Sequence, residues 1–192
     1  MMRILLALSL ALVCLPTHTS ARMIRIVYVE PAGETFTATE QAAARAGMQG
    51  AIDFWQALAP SPVPLLIASE RTITATGDIF DTFEWSRAYF AGPPDLTIFV
   101  IDSSHPLMRD YLAQSQTALG LIWALRGAGD DFAATLAHEL GHVVYGLPHV
   151  YDEVGIMGLD PTWAYQHQWI GCASLASLGR PCRIVWLPVV RG

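Results

Sequence analysis

The chain has no lysine: its eleven basic residues are all arginines, and past the amino terminus they are scattered from Arg22 to Arg191 without clustering. With 17 acidic residues the net charge is −6. A basic stripe able to follow a phosphate backbone is therefore missing, which excludes nucleic acid as an expected partner. Charge of either sign is scarce, at 15% of residues against 53% hydrophobic, so 192 residues can build one sizeable core. Internal repeats, low-complexity tracts and a linker are also lacking, and a single domain is expected.

An apolar run of the roughly 20 residues needed to span a membrane is absent too. The run Ile4 to Leu15 is shorter, follows Met1-Met2-Arg3, and leads through Pro16 to the small residues Thr19-Ser20-Ala21. A positive start, a short apolar segment and small residues before a cut are the layout of a secretory signal. The reading is a signal peptide over 1–21 and one domain over 22–192, secreted or periplasmic/extracellular, with no stable membrane insertion after signal removal. Val13 rather than a small residue precedes Cys14, which argues against a lipid anchor there.

Cysteine is sparse. Removal of the signal takes Cys14 and leaves Cys172 and Cys182, an even pair that in an exported protein is expected to form a disulfide. Closing so short a loop contributes roughly 3 kcal/mol in the chain-entropy model. Close paired spacings of the zinc-knuckle kind are missing.

What is present begins with "MIRIVYV" (Met23 to Val29), a β-branched run stopped by Pro31. A long amphipathic helix is expected from Thr39, read as its N-cap, to Leu58, closed by "APSPVP". "PLLIASERTITA" (Pro64 to Ala75) reads as a second strand, and residues 77 to 94 as a loop whose acids Asp78, Asp81 and Glu84 are solvated rather than calcium-binding. "DLTIFVIDSS" (Asp95 to Ser104) is apolar nearly throughout and fits a central strand covered on both faces. "ALGLIWALRG" (Ala118 to Gly127) is a further strand, and Asp160 to Gly179 a C-terminal helix.

Between them lies "DDFAATLAHELGHVVYGLPHV", with Asp130 or Asp131 as N-cap. At about 3.6 residues per turn, Phe132, Leu136, Leu140 and Val143 share one stripe of a helix, and His138, His142 and Tyr145 the opposite one. Imidazoles four residues apart, on the face the leucines avoid, can reach one ion, whereas a structural histidine is usually a lone one near the core. Zinc accepts imidazole nitrogen. Glu139 is rotated beside them, where a carboxylate can take a proton from water activated by the ion and pass it to a leaving group. Gly146 fits a helix C-cap and Pro148 stops the helix from resuming, which swings His149 back toward the ion; Asp152 is the reserve ligand.

On these residues the chain resembles the metzincin zinc endopeptidases, whose signature is H-E-x-x-H-x-x-G-x-x-H followed by a methionine turn. His138, Glu139 and His142 match, as does the step from Gly146 to His149, and Ile156-Met157-Gly158 stands where the methionine turn belongs. One departure is plain: "VVY" places three residues between His142 and the glycine where the signature has two. An extra helical residue shifts the exit by about 100° and about 1.5 Å, to be absorbed by a tightened last turn or a bulge at Tyr145.

The resemblance implies a Zn2+ ion held by His138, His142 and His149, Glu139 as general base and acid, and Met157 as a floor beneath the ligands. It implies an α/β (α+β, zincin-like) fold: a twisted mixed sheet with a long backing helix and an active-site helix, and a smaller irregular C-terminal subdomain with a helix. "LGLIWALRG" would be the antiparallel edge strand that receives an extended peptide. The family's tyrosine after the methionine has no counterpart; Tyr151 and Tyr165 are the nearest, and neither is assigned that role.

The expected function is that of a secreted, monomeric zinc metalloendopeptidase acting on peptide or protein substrates. A third ligand from a glutamate on a later helix is disfavoured, because the last glutamate, Glu153, lies too near His142. The alternative from another class is a secreted, non-catalytic binding protein on a zincin scaffold. Glu139 argues against it, since a structural ion needs no such carboxylate and usually takes four protein ligands.

Overall fold

The computed structural model describes residues 20–31, 33, 35–75, 95–101, 112–127 and 129–182. The signal segment up to residue 19 and the loop holding Asp78, Asp81 and Glu84 lie outside the described residues.

Five strands form one sheet: β1 (Arg22–Pro31), β2 (Leu65–Ala75), β3 (Leu96–Ile101), β4 (Ala113–Gln116) and β5 (Leu121–Leu125). Their order is β2-β1-β3-β5-β4, parallel throughout except where β4 meets β5. Every residue of β3 is buried, as its unbroken apolar run requires of a central strand with both faces covered. Opposite β1, strand β2 carries one extra residue between Ile67 and Ser69, a bulge that bends this edge.

Alternation sorts the side chains onto two faces. Ile24, Ile26, Tyr28, Leu96, Ile98, Val100, Ile122 and Ala124 pack with the helices, while Val27, Val29, Phe99, Ile101, Leu121 and Trp123 form a second buried cluster. Two long helices, α1 (Ala38–Leu58) and α2 (Gly129–Tyr145), cover the first face. The α1 start is a capping box: the Thr37 hydroxyl accepts the Glu40 N–H at 3.2 Å, and the Glu40 carboxylate accepts the Thr37 N–H at 2.8 Å. The expected cap, Thr39, is therefore inside the helix, since Glu40 stands three residues after Thr37 and not after Thr39.

α1 and α2 touch closely. Trp55, with no exposed surface, donates its indole N–H to the Ala137 carbonyl at 2.8 Å, and its ring stacks on Tyr145 with centroids 4.5 Å apart. A Cβ on Gly47 would overlap the Phe132 ring, so glycine here lets the helices approach. The stripe read from the sequence holds, because Phe132, Leu136, Leu140 and Val143 are all buried.

Three further expectations are corrected. Asp130 and Asp131, read as alternative N-caps, both lie inside the first turn of α2, which begins at Gly129. The antiparallel edge strand is β4, and the segment Ala118 to Gly127 instead supplies β5, an interior strand parallel to β3 and preceded by a short 3-10 turn (Thr117–Leu119). The residues Leu-Ile-Trp-Ala are buried and suit the interior, whereas Ala-Gln-Ser-Gln can face solvent. The single C-terminal helix is two short ones, α3 (Pro161–Gln166) and α4 (Cys172–Ser177), because the chain turns through positive φ at Gln168 (53°) and Gly171 (103°).

Between α2 and α3 lies a small pair of strands, β6 (Val150–Val154) and β7 (Gly158–Leu159). Glu153 of β6 accepts the N–H groups of Cys172 and Ala173 at 3.1 Å, tying the start of α4 to this pair. Cys172 and Cys182 are bridged as expected, with Cα atoms 5.0 Å apart. Among the described residues no helix is long and apolar enough to cross a membrane.

Candidate metal centre

His138 and His142 stand one turn apart on α2, and Gly146 sets the direction in which the chain leaves that helix. Its φ of 65° is left-handed backbone that glycine adopts without a Cβ penalty. The Gly146 N–H reaches the His142 carbonyl at 3.1 Å, and the Leu147 N–H reaches back six residues to the Gly141 carbonyl at 3.1 Å. This wrap is one residue wider than the usual glycine cap, whose outer bond spans five residues. The three residues of "VVY" stay within the helix, whose last turn closes with ordinary four-residue spacing, so neither the expected tightened turn nor a bulge at Tyr145 is seen. Tyr145 instead faces α1, where its hydroxyl accepts the Val63 N–H at 3.3 Å.

The chain then returns through Leu147, buried, and exposed Pro148, and places His149 beside the first two histidines. The three Nε2 atoms form a near-equilateral triangle: His138 to His142 is 3.1 Å, His138 to His149 3.1 Å and His142 to His149 3.2 Å. The sharing of protons among them is opposed by their other ring nitrogens. His138 Nδ1 donates to the Ile156 carbonyl at 2.7 Å and His142 Nδ1 to the Leu147 carbonyl at 2.6 Å. These acceptors assign the proton to Nδ1, leaving both Nε2 lone pairs aimed at the centre of the triangle.

Converging lone pairs repel unless a cation sits among them. Ligands at about 2.0 to 2.1 Å from a tetrahedral ion lie roughly 3.3 Å from each other, close to the observed edges, so the residues fit zinc. Among the described residues these three form the metal-capable cluster of histidine, cysteine and carboxylate groups. Burial pulls His138 down to about 4, against the opposing effect of its bond to Ile156, and the two neighbouring imidazoles lower it further. His149 is also lowered, by burial and then by His142. Imidazoles that resist protonation are ready to ligate.

Glu139, next to the first histidine, is only 7% exposed. Burial pushes its carboxyl up from the ordinary range, opposed by a hydrogen bond with Ser115 of β4 and by His142. Beneath the histidines the turn from Gly155 to Gly158, closed by the Gly158 N–H to the Gly155 carbonyl at 3.0 Å, offers Ile156 to His138 and buries Met157 completely. A Cβ on Gly141 would overlap the Met157 Sδ and press on the Trp55 ring, so the glycine inside the histidine motif is what admits the methionine.

Other sequence candidates lie elsewhere. Asp152 is exposed and does not join the cluster. Tyr165 stacks on Phe54 at 5.6 Å and faces α1 rather than the histidines. His167 bonds the Trp163 carbonyl at 2.8 Å and stacks on that indole, a local role. Tyr151 does stand at the site, stacked on His149. Sequence reasoning missed Ser115 and the carbonyls of Leu147 and Ile156. The carbonyls leave no trace in residue type, and Ser115 sits in a polar stretch without strand signals.

No protein-family model matches the sequence, and no curated protein matches it. Solved structures resemble it in fold. A zinc-dependent peptidase from Methanocorpusculum labreanum aligns at 14% identity and a TM-score of 0.46, over 80% of this chain and 99% of that one. A protein solved as a chaperone-substrate complex aligns at 11% identity and 0.51, over 82% of this chain and 34% of that one. Metalloproteinase-II from Bacteroides fragilis aligns at 14% identity and 0.47, over 77% and 50%. This chain thus spans about a third and a half of the length of the last two. At these identities the likeness is one of overall fold alone.

Proposed function

We propose that the chain is an exported zinc metalloendopeptidase of metzincin type, with His138, His142 and His149 as ligands, Glu139 as general base and acid, and Met157 as the floor of the site. The observation that carries this reading is the triangle of Nε2 atoms, two of them held in the ligating tautomer by backbone carbonyls. Zinc at that position supplies a Lewis acid that polarises a carbonyl and makes water acidic near a pKa of about 7.

The chain's own residues do the rest. Glu139 accepts a proton from the attacking water and delivers it to the departing amine nitrogen. Its burial helps, because a carboxyl raised toward the working pH can both take and return a proton. Ser115 holds that carboxylate from the neighbouring edge strand. β4, paired only with β5 among the described strands, offers its outer edge to an extended peptide through main-chain hydrogen bonds. Peptide or protein substrates and a monomeric, single catalytic domain over 22–192 complete the reading, with residues 1–21 as the export signal.

The test is metal analysis of the purified protein followed by cleavage of a broad peptide library. Bound zinc, cleavage abolished by a chelator and restored by zinc, and loss of cleavage in Glu139→Ala support the assignment. Zinc binding without cleavage of any peptide by the wild type favours the non-catalytic binding protein instead.

A further inference from the structure

We propose that Tyr151 is the positioning residue for the third histidine, and that its ring favours the metal-loaded state of that imidazole; this rests on the metal site proposed above. The three histidines are not held alike. His138 and His142 are each fixed by an Nδ1 hydrogen bond to a backbone carbonyl. For exposed His149 no such bond is seen among the described residues, and it comes from a loop rather than from the helix. In its place the Tyr151 ring lies against the imidazole, with centroids 5.2 Å apart and planes 14° from parallel.

The local chain produces this contact. The Val150 N–H bonds the Met157 carbonyl at 2.9 Å and fixes the start of β6. Residues two apart on an extended chain project to the same side, so positions 149 and 151 meet face to face. Tyr151 is 74% exposed, which leaves it little other packing to serve. An aromatic ring so placed restrains the imidazole, as outer-shell partners of metal-bound histidines do. A coordinated imidazole also carries partial positive charge, which the electron-rich tyrosine face attracts more strongly than it attracts the free ring.

The discriminating experiment measures Zn2+ affinity by competition with a chromophoric chelator for wild type, Tyr151→Phe, Tyr151→Leu and Tyr151→Ala, with His149→Ala as reference. Co2+ absorption spectra and thermal unfolding of the metal-free proteins are recorded alongside. Phenylalanine should stay within about twofold of wild type, while leucine and alanine bind about tenfold more weakly and perturb the Co2+ bands. Metal-free unfolding should not change, because an exposed ring leaves no cavity. Leucine and alanine variants that bind Zn2+ as the wild type does would overturn the role of Tyr151 and leave the metal site standing. A wild type that binds neither Zn2+ nor Co2+ would instead overturn the metal site, and this inference with it.

Discussion

The sulfur of Met157 lies directly against the backbone of Gly141, between the two helical histidines, with no room for even a methyl group. Gly141→Ala must therefore displace Met157, Trp55 or the helix. Overpacking of this kind costs roughly 1 to 3 kcal/mol. Thermal denaturation should show that loss, and Zn2+ titration should show weaker binding, because Met157 belongs to the same turn as the Ile156 carbonyl that holds His138. An alanine variant as stable and as metal-avid as wild type would mean the turn yields freely.

Glu139 is a buried carboxyl whose folded pKa is raised above its ordinary value of 4.5. For an acid so shifted, the folded state holds its proton more tightly than the unfolded one, so stability declines as pH rises through the folded value. Glu139→Gln removes that penalty. The variant should lose about 100-fold or more in cleavage yet resist urea better than metal-free wild type, with the gap wider at pH 7.5 than at pH 5. Urea titrations at the two pH values test this, and an equal gap at both would contradict it.

His138 titrates the other way. Its folded value of about 4 lies below the ordinary 6.5, so between these the unfolded chain binds more protons than the folded one. Metal-free protein should keep this contribution above pH 6.5 and lose it progressively as pH falls toward about 4. Denaturation midpoints across that range are expected to drop, and the drop should shrink in His138→Gln.

The bridge from Cys172 to Cys182 staples the end of a segment whose start is held by Glu153. Replacing both cysteines with serine removes roughly 3 kcal/mol in the chain-entropy model. Because the bridge does not touch the histidine triangle, Zn2+ affinity at low temperature should persist while the melting temperature falls. Simultaneous loss of both would show that α4 supports the ligands.

What could be read in advance came from residue chemistry acting locally. The apolar stripe of α2, the all-apolar β3 and the left-handed turn at Gly146 each have one dominant physical cause, and each stands where expected. The errors arose where tertiary pairing or an unmarked backbone angle decides. Ala113–Gln116 is a strand only because β5 offers it an edge, and four half-exposed residues carry no period of their own. Having missed it, sequence reasoning gave the edge to the more apolar stretch behind it. Gln168 turns the chain at φ 53° without being a glycine, so nothing in its type announces the break between α3 and α4. Thr37 and Thr39 differ as caps only through Glu40, whose spacing satisfies one and not the other.

The long reach of the Leu147 amide to the Gly141 carbonyl bears on how firmly the arm carrying His149 is aimed. This hoop anchors the departing chain to the very glycine against which the Met157 sulfur rests, so helix end, returning arm and floor share a single hinge point. A disturbance at that point is therefore transmitted to all three imidazoles together.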